Sequence, residues 1–402
     1  MAVFAPVAKH RPDARNRGSR YDRFIFDPMN RLCLVAFVFA LGLVAPAAEV
    51  LASDHADPIK LRNLEAGLTG LFAFPDGDRL VLVLGTRRAL QSGKPYDLEP
   101  FEFAIHMDLN SAVSYDNEEV VARYGGRVVD PAEIAATVSF KFRLYENTNR
   151  KSVSLDGFDE ELVAKLQSQL ADGTIRVWTG VRDDPFIFPR FFKRNIIAMV
   201  LSIPFSSFPG QKDWVLWATT HRVQGGRQVD HVGRSNRTQL ARFDFLNRIH
   251  PSEQVPKIRG KIESGQKIQE FLMKYLAPGA DLFTYVFRLR KYDAQPDVMI
   301  FTTRREAGFP NGRRLADDVA GLTCAQGDCA LQEVAFIEGG WPRKTSTDVP
   351  FLDEMPYLGR PWPDLPHEAH AVSWARRSAL IVFLVLAVWL TLRYARYHDY
   401  QP

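Results

Sequence analysis

The chain predicts a mainly β body, an antiparallel two-sheet sandwich with a few peripheral α-helices, joined to one C-terminal transmembrane helix. Three observations lead there: period-two alternation through the middle of the chain, turn residues that cut the alternating runs to strand length, and two charge-free apolar segments near the ends.

The first apolar segment, Leu32 to Ala45, follows Asn30-Arg31 and precedes Pro46-Ala47-Ala48-Glu49-Val50-Leu51-Ala52. A basic region, an apolar core and a small-residue site make a secretory signal, with Val50 and Ala52 at the positions a signal peptidase reads. Cleavage is expected after Ala52, leaving Ser53 as the mature N-terminus, and the basic extension before Met29 points to translation starting at Met29. The alternative is an uncleaved anchor, although this run is shorter than the roughly 20 residues a span needs.

The exported body runs from 53 to 366. In Thr137 to Tyr145 the residues Val138, Phe140, Phe142 and Leu144 alternate with Ser139, Lys141, Arg143 and Tyr145, which predicts a strand with one buried face. Phe101 to Met107 repeats the pattern; Arg79 to Leu84, Thr174 to Trp178, Asn195 to Ile203 and Trp214 to Thr220 are further β-rich runs. Helical spacing predicts one helix through Leu162, Val163, Leu166 and Leu170, another through Ile268, Phe271, Leu272, Tyr275 and Leu276, and a short third starting near Asn311. Cys33 falls in the signal, so Cys324 and Cys329 remain to pair as a disulfide in an oxidising compartment; a dithiol metal or redox site is the alternative.

After a juxtamembrane linker, 367–377, the run 378–395 is bracketed by arginines and carries Trp374, Trp389, Tyr394 and Tyr397 near its ends, as a membrane helix with interfacial anchors does. The signal orients it: the body lies in the periplasm or extracytoplasmic space, and a short tail, 396–402, inside the cell membrane. Net charge is only +4 over 402 residues, which makes no case for nucleic acid.

Several strings together resemble a bacterial family of secreted proteins, the domain of unknown function 4331 (DUF4331). They are Ser53-Asp54-His55-Ala56-Asp57-Pro58, Thr69-Gly70-Leu71-Phe72-Ala73-Phe74, Gly180-Val181-Arg182-Asp183-Asp184-Pro185-Phe186, Phe309 to Val319, and Asp348-Val349-Pro350-Phe351-Leu352 with Pro356-Tyr357-Leu358. Gly70 stands where the family usually has Asp. The resemblance implies export and a β-rich body, and names no reaction. It also implies a calcium-type loop after the Phe101 strand, where this chain offers only Asp108, Asn110, Asp116 and Glu118 at wider spacing; a solvated connecting loop competes with it.

Candidate ligands follow from residue chemistry. The Ser53 amine, two backbone amides and the His55 imidazole can wrap Cu(II) or Ni(II) in one plane, with Asp57 beside them. Asp183 and Asp184 are paired carboxylates suited to a hard cation such as calcium, or to capping a turn and pairing with Arg182. Asp317 and Asp318 beside Arg313 and Arg314 suggest ion pairs on a helix surface, and His367 with His370 offers a metal pair or a plain linker. No phosphate cradle, nucleophile elbow or paired zinc motif stands out. The leading expectation is a membrane-anchored module that binds a ligand or a protein partner in the envelope, with or without a metal. The alternatives are a metal-dependent enzyme or copper/nickel-handling protein built on His55, and an accessory subunit of a membrane complex.

Overall fold

Alternation puts every second side chain of a strand on one face, and here two sheets bury those faces against each other. The computed structural model describes residues 67–87, 98–145, 151–235, 241–260, 295–327, 329–339 and 342–363. The smaller sheet contains β1 (Leu68–Asp76), β2 (Arg79–Arg87), β8 (Arg176–Asp183) and β9 (Asn195–Pro204), in the order β1-β2-β9-β8. The larger sheet contains β3 (Phe101–Asp108), β6 (Val138–Leu144), β7 (Lys151–Asp156), β10 (Asp213–Arg222) and β11 (Gln228–Val232), in the order β11-β10-β3-β6-β7, with β12 (Met299–Thr302) on β10. A two-stranded ribbon, β4 (Val113–Ser114) and β5 (Arg127–Val128), completes the strands, and every strand pair is antiparallel.

The inner faces supply one core. Leu80, Leu82 and Leu84 of β2 and Ile197, Met199, Leu201 and Ile203 of β9 join Phe101, Phe103, Ile105 and Met107 of β3 and Phe140 and Phe142 of β6. All ten residues of β9 are buried, because its sheet is covered on the other face as well. There Val81, Val83, Ala198 and Val200 pack under Leu315, Tyr357 and Leu358, brought back by the C-terminal part of the body. That double cover explains why Asn195 to Pro204 is apolar nearly throughout instead of alternating.

The helices are peripheral. Helix α1 (Glu118–Tyr124) starts where the Asn117 side chain accepts the Val120 N–H and stops at Gly125, whose φ of 78° a side chain would strain. Helix α2 (Glu160–Ala171) is capped by Asp159 and turns Leu162, Val163, Leu166 and Leu170 onto the core, on the spacing the sequence carries. A helix, α3, covers 251–260. The predicted helix near Asn311 does not form. The Asn311 side chain instead accepts from the Thr302 N–H and donates to the carbonyls of Thr302 and Glu306, pinning a loop, and helix α4 (Val319–Ala325) begins only after the cap at Asp318. Beside this pin, Gly312 adopts φ +65°, and a Cβ there would come within 2.9 Å of the Phe301 ring, so the position demands glycine. Helix α5 (Ala330–Gly339) follows; the Cys324–Cys329 disulfide joins α4 to its approach, and Val319, Leu331 and Ala335 pack on Phe186, Phe188 and Phe191.

The helix expected through Ile268 to Leu276, the secretory signal and the 378–395 membrane segment lie outside the described residues. Among the described residues no helix is long and apolar enough to cross a membrane.

Candidate functional site

The outer face of the larger sheet collects the polar half of its alternating strands. Strand register lines them up: Asp156, Ser139, His106 and Trp217 are successive cross-strand partners across β7, β6, β3 and β10. One step along, Lys141, Ala104, Thr219 and His231 form the next row, and Glu102 faces His221 in the one after. The rows floor an open cleft of about 450 Å³, lined also by Ala136, Val223, Gln228 and by His250 just ahead of α3. All four histidines between residues 67 and 363, His106, His221, His231 and His250, meet at this face.

Hydrogen bonds link two of them, His106 and His221, through Thr219. His106 Nδ1 lies 2.8 Å from Ser139 Oγ, and its Nε2 lies 2.7 Å from Thr219 Oγ1. Thr219 Oγ1 is in turn 3.3 Å from His221 Nδ1. The His106 ring stacks on Trp217, centroids 5.1 Å apart and planes 21° apart, while His250 meets the same indole edge-on at 5.5 Å. Burial holds the His106 pKa well below 6.5, and His221, His231, His250 and Lys141 lower it further by repulsion. Burial also lowers His221, against the opposing pull of Glu102, and lowers His250. His106, His221 and His250 are therefore held toward the neutral form near pH 7.

His250 Nδ1 accepts from the Ser252 hydroxyl at 2.8 Å and from its N–H at 3.3 Å, so the ring proton of the neutral form sits on Nε2. Behind the cleft, fully buried His231 bonds the Asp297 carbonyl at 2.8 Å. Asp297 is itself tied down, with its N–H on Gln254 Oε1 at 2.6 Å and its Oδ1 accepting the Arg234 N–H at 2.9 Å. At the rim Lys141 and Asp156 pair at 2.6 Å, and the Arg222 guanidinium lies 5.3 Å from the Phe101 ring. Among the described residues the Glu102 carboxylate, the Arg222 guanidinium and the Nε2 atoms of His221 and His250 have no hydrogen-bond or ion-pair partner. The cleft can thus offer donors, an acceptor and an apolar wall to a guest without breaking its own network.

The sequence-predicted ligands lie elsewhere. Ser53, His55 and Asp57 fall outside the described residues, as do His367 and His370. Asp183 ends β8 on the smaller sheet and Asp184 follows it, both buried. Asp184 Oδ1 accepts the Phe186 N–H at 3.0 Å, closing the turn before Pro185 is passed. Asp183 Oδ2 accepts from the Thr347 hydroxyl at 3.3 Å, and its backbone N–H bonds the Gly359 carbonyl at 3.2 Å. Asp348 arrives on the same returning segment and takes the Lys193 N–H at 2.7 Å. Among the described residues no three His, Cys, Asp or Glu side chains converge to hold a metal ion.

Asp183 carries a stability consequence. Burial, then the nearby Asp348 and Asp184 carboxylates, push its pKa up from 3.8 to about 8. The folded protein therefore holds a proton that the unfolded chain releases above pH 3.8, and stability falls as pH rises from about 4 to about 8. Asp183→Asn removes that dependence, since an amide of the same shape never ionises. At pH 9 the variant is expected to be more stable than wild type by about 1–3 kcal/mol in urea unfolding, with the gap closing below pH 5. An equal or lower midpoint at pH 9 would refute the raised pKa.

Two expectations are corrected. Arg182 does not pair with Asp183 or Asp184: it lies 4.4 Å over the Trp178 ring, on the face of β8 opposite Asp183, because adjacent strand residues point apart. Arg313 and Asp317 are not a helix-surface pair. Arg313 is fully buried with its guanidinium 4.1 Å over the Phe72 ring, and Asp317 Oδ2 accepts the N–H groups of Phe309 and Arg314, closing a loop. Asp318 caps α4 and pairs with Arg343, and Arg314 reaches Glu306 at 3.6 Å. In the supposed calcium loop, Asp108 turns inward and spends both oxygens on Asn110, Ser111 and Ala135, while Asp116 accepts from Ser114 and Glu118 sits in the first turn of α1. That loop is stapled by its own backbone donors.

Sequence reasoning missed the histidine cleft. One signal was present: His106 and His221 both occupy polar phases of alternating strands, in line with Glu102 and Thr219. What could not be seen was that β10 lies against β3. No family model, no curated protein and no solved structure matches the chain.

Proposed function

We propose that the chain is a membrane-anchored, extracytoplasmic β-sandwich whose histidine cleft binds a small polar ligand. The observation that carries this reading is the set of groups facing the cleft without a hydrogen-bond or ion-pair partner among the described residues, Glu102, Arg222 and the Nε2 atoms of His221 and His250, around a floor where Ser139, His106 and Thr219 bond one another. Unsatisfied donors and an acceptor converging on a concave, partly apolar wall are what a small-molecule site requires. The apolar run 378–395 and the leader before Ser53 support tethering outside the cytoplasmic membrane, and the five strings support kinship with the 4331 family.

Native mass spectrometry on protein extracted gently from its membrane tests the binding. The wild type is expected to carry a small non-covalent mass that the double variant His221→Ala/His250→Ala, folded by circular dichroism, has lost. The same adduct on both proteins would move the ligand away from the cleft.

A further inference from the structure

Building on the reading of the cleft as the binding site, we propose that Ser139 is a nucleophile, and His106 its general base, for acyl transfer from a small carboxylic ester held there. The two groups sit 2.8 Å apart and both line the cleft. A hydroxyl that only satisfied a buried imidazole would need no access to the cleft, and Ser139 has it.

The arrangement supplies the parts such a step needs. His106 is held by the Trp217 stack on one face, and by Thr219 Oγ1 at 2.7 Å from the nitrogen opposite Ser139. With the Nε2 proton directed to Thr219, Nδ1 is left bare to accept the Ser139 proton, and the Thr219 hydroxyl can pass its own hydrogen to His221 Nδ1 at 3.3 Å. Thr219 is thus a positioning residue that sets the tautomer. Burial keeps His106 unprotonated, the state a base must have at neutral pH. The Nε2–H of His250 is a donor in the same cleft, available to a carbonyl oxygen as it gains charge. Ala104, Ala136, Val223 and Trp217 give the acyl chain an apolar wall.

The chemistry balances without a co-reactant beyond water. Ser139 Oγ attacks the ester carbonyl and its proton moves to His106 Nδ1. The tetrahedral intermediate expels the alkoxide, which takes that proton and leaves as the alcohol, with the acyl group bonded to Ser139 Oγ. Water then adds to the acyl carbon, giving its proton to His106, and the Ser139–acyl bond breaks as the proton returns to Oγ, releasing the carboxylic acid.

The test incubates the full-length protein with p-nitrophenyl acetate. The expected result is a burst of p-nitrophenolate stoichiometric with protein, and an acetyl group on the peptide bearing Ser139. Ser139→Ala abolishes the burst, and His106→Gln slows it about 100-fold or more. Thr219→Val shifts the pH profile of acylation and Thr219→Ser restores it, a pattern that loss of packing alone does not produce. Acetyl groups found only on Lys141 or other amines of the wild type, or no adduct at all, would overturn the proposal, and this readout does not depend on any variant folding. A cleft that still carries its non-covalent ligand in that case would leave the binding reading intact, so the two failures are distinguishable.

Discussion

Replacing Trp217 by alanine is expected to destabilise the body by about 3–5 kcal/mol, the range for emptying a large aromatic site in a core. Trp217 is 1% exposed and stands at a junction of two environments. On one side it packs with Val128, Ile134, Val215, Val298 and Ile300, tying β12 and the β4–β5 ribbon to β10. On the other it supports the His106 ring at 5.1 Å and the His250 ring at 5.5 Å. Its removal therefore opens a cavity and releases the two imidazoles at once. Urea unfolding should show the lower midpoint, and a thermal melt should fall by about 10 °C. Trp217→Phe, which keeps a ring in the stack, should recover more than half of the loss. A loss under about 1 kcal/mol for alanine would mean that the site collapses freely and the indole does not organise the cleft.

The second large effect is acid sensitivity. His106, His221 and His250 are all held below the ordinary imidazole value of 6.5 in the fold, first by burial. Below pH 6.5 the unfolded chain takes up protons that the folded protein refuses, so unfolding absorbs up to three protons from these groups. Their contribution is fully present above pH 6.5 and is lost as pH falls toward the folded pKa values. Asp183 slopes the opposite way in part of the same range, which makes Asp183→Asn the right background for the measurement. In that background the unfolding midpoint should fall steadily from pH 7 to pH 5, and His106→Gln should flatten part of the fall. A midpoint that rises or stays level over that interval would contradict the lowered imidazole values.

The strands were legible in the sequence because alternation is a local signal. Val138 to Leu144, Phe101 to Met107 and the Leu162 to Leu170 helix each show their buried faces by spacing alone. The site was not legible, because its residues come from β3, β6, β10 and the approach to α3, brought together only by the strand order β10-β3-β6. Charged clusters misled for the same reason. Arg313 and Asp317 are near neighbours in the chain, yet the backbone of Arg313 pairs with Ala73 of β1 and draws its side chain beneath Phe72. Arg182 and Asp183 are adjacent, and adjacency in a strand places them on opposite faces. Asp183 instead meets Asp348, which the chain brings back from far downstream. The Cys324–Cys329 pair was legible because its two members are close in sequence and a short loop can close on itself.

The measurement that tests the central claim most directly is a long-range proton–nitrogen NMR titration of the histidine side chains between pH 5 and pH 8. The account predicts that His106 stays neutral through pH 6.5 and that His250 carries its proton on Nε2. It further predicts that His106, His221 and His250 all titrate below 6.5, with His106 well below it. Titrations at or above 6.5 would contradict it, because solvated imidazoles could not form the buried His106–Thr219–His221 chain that floors the cleft.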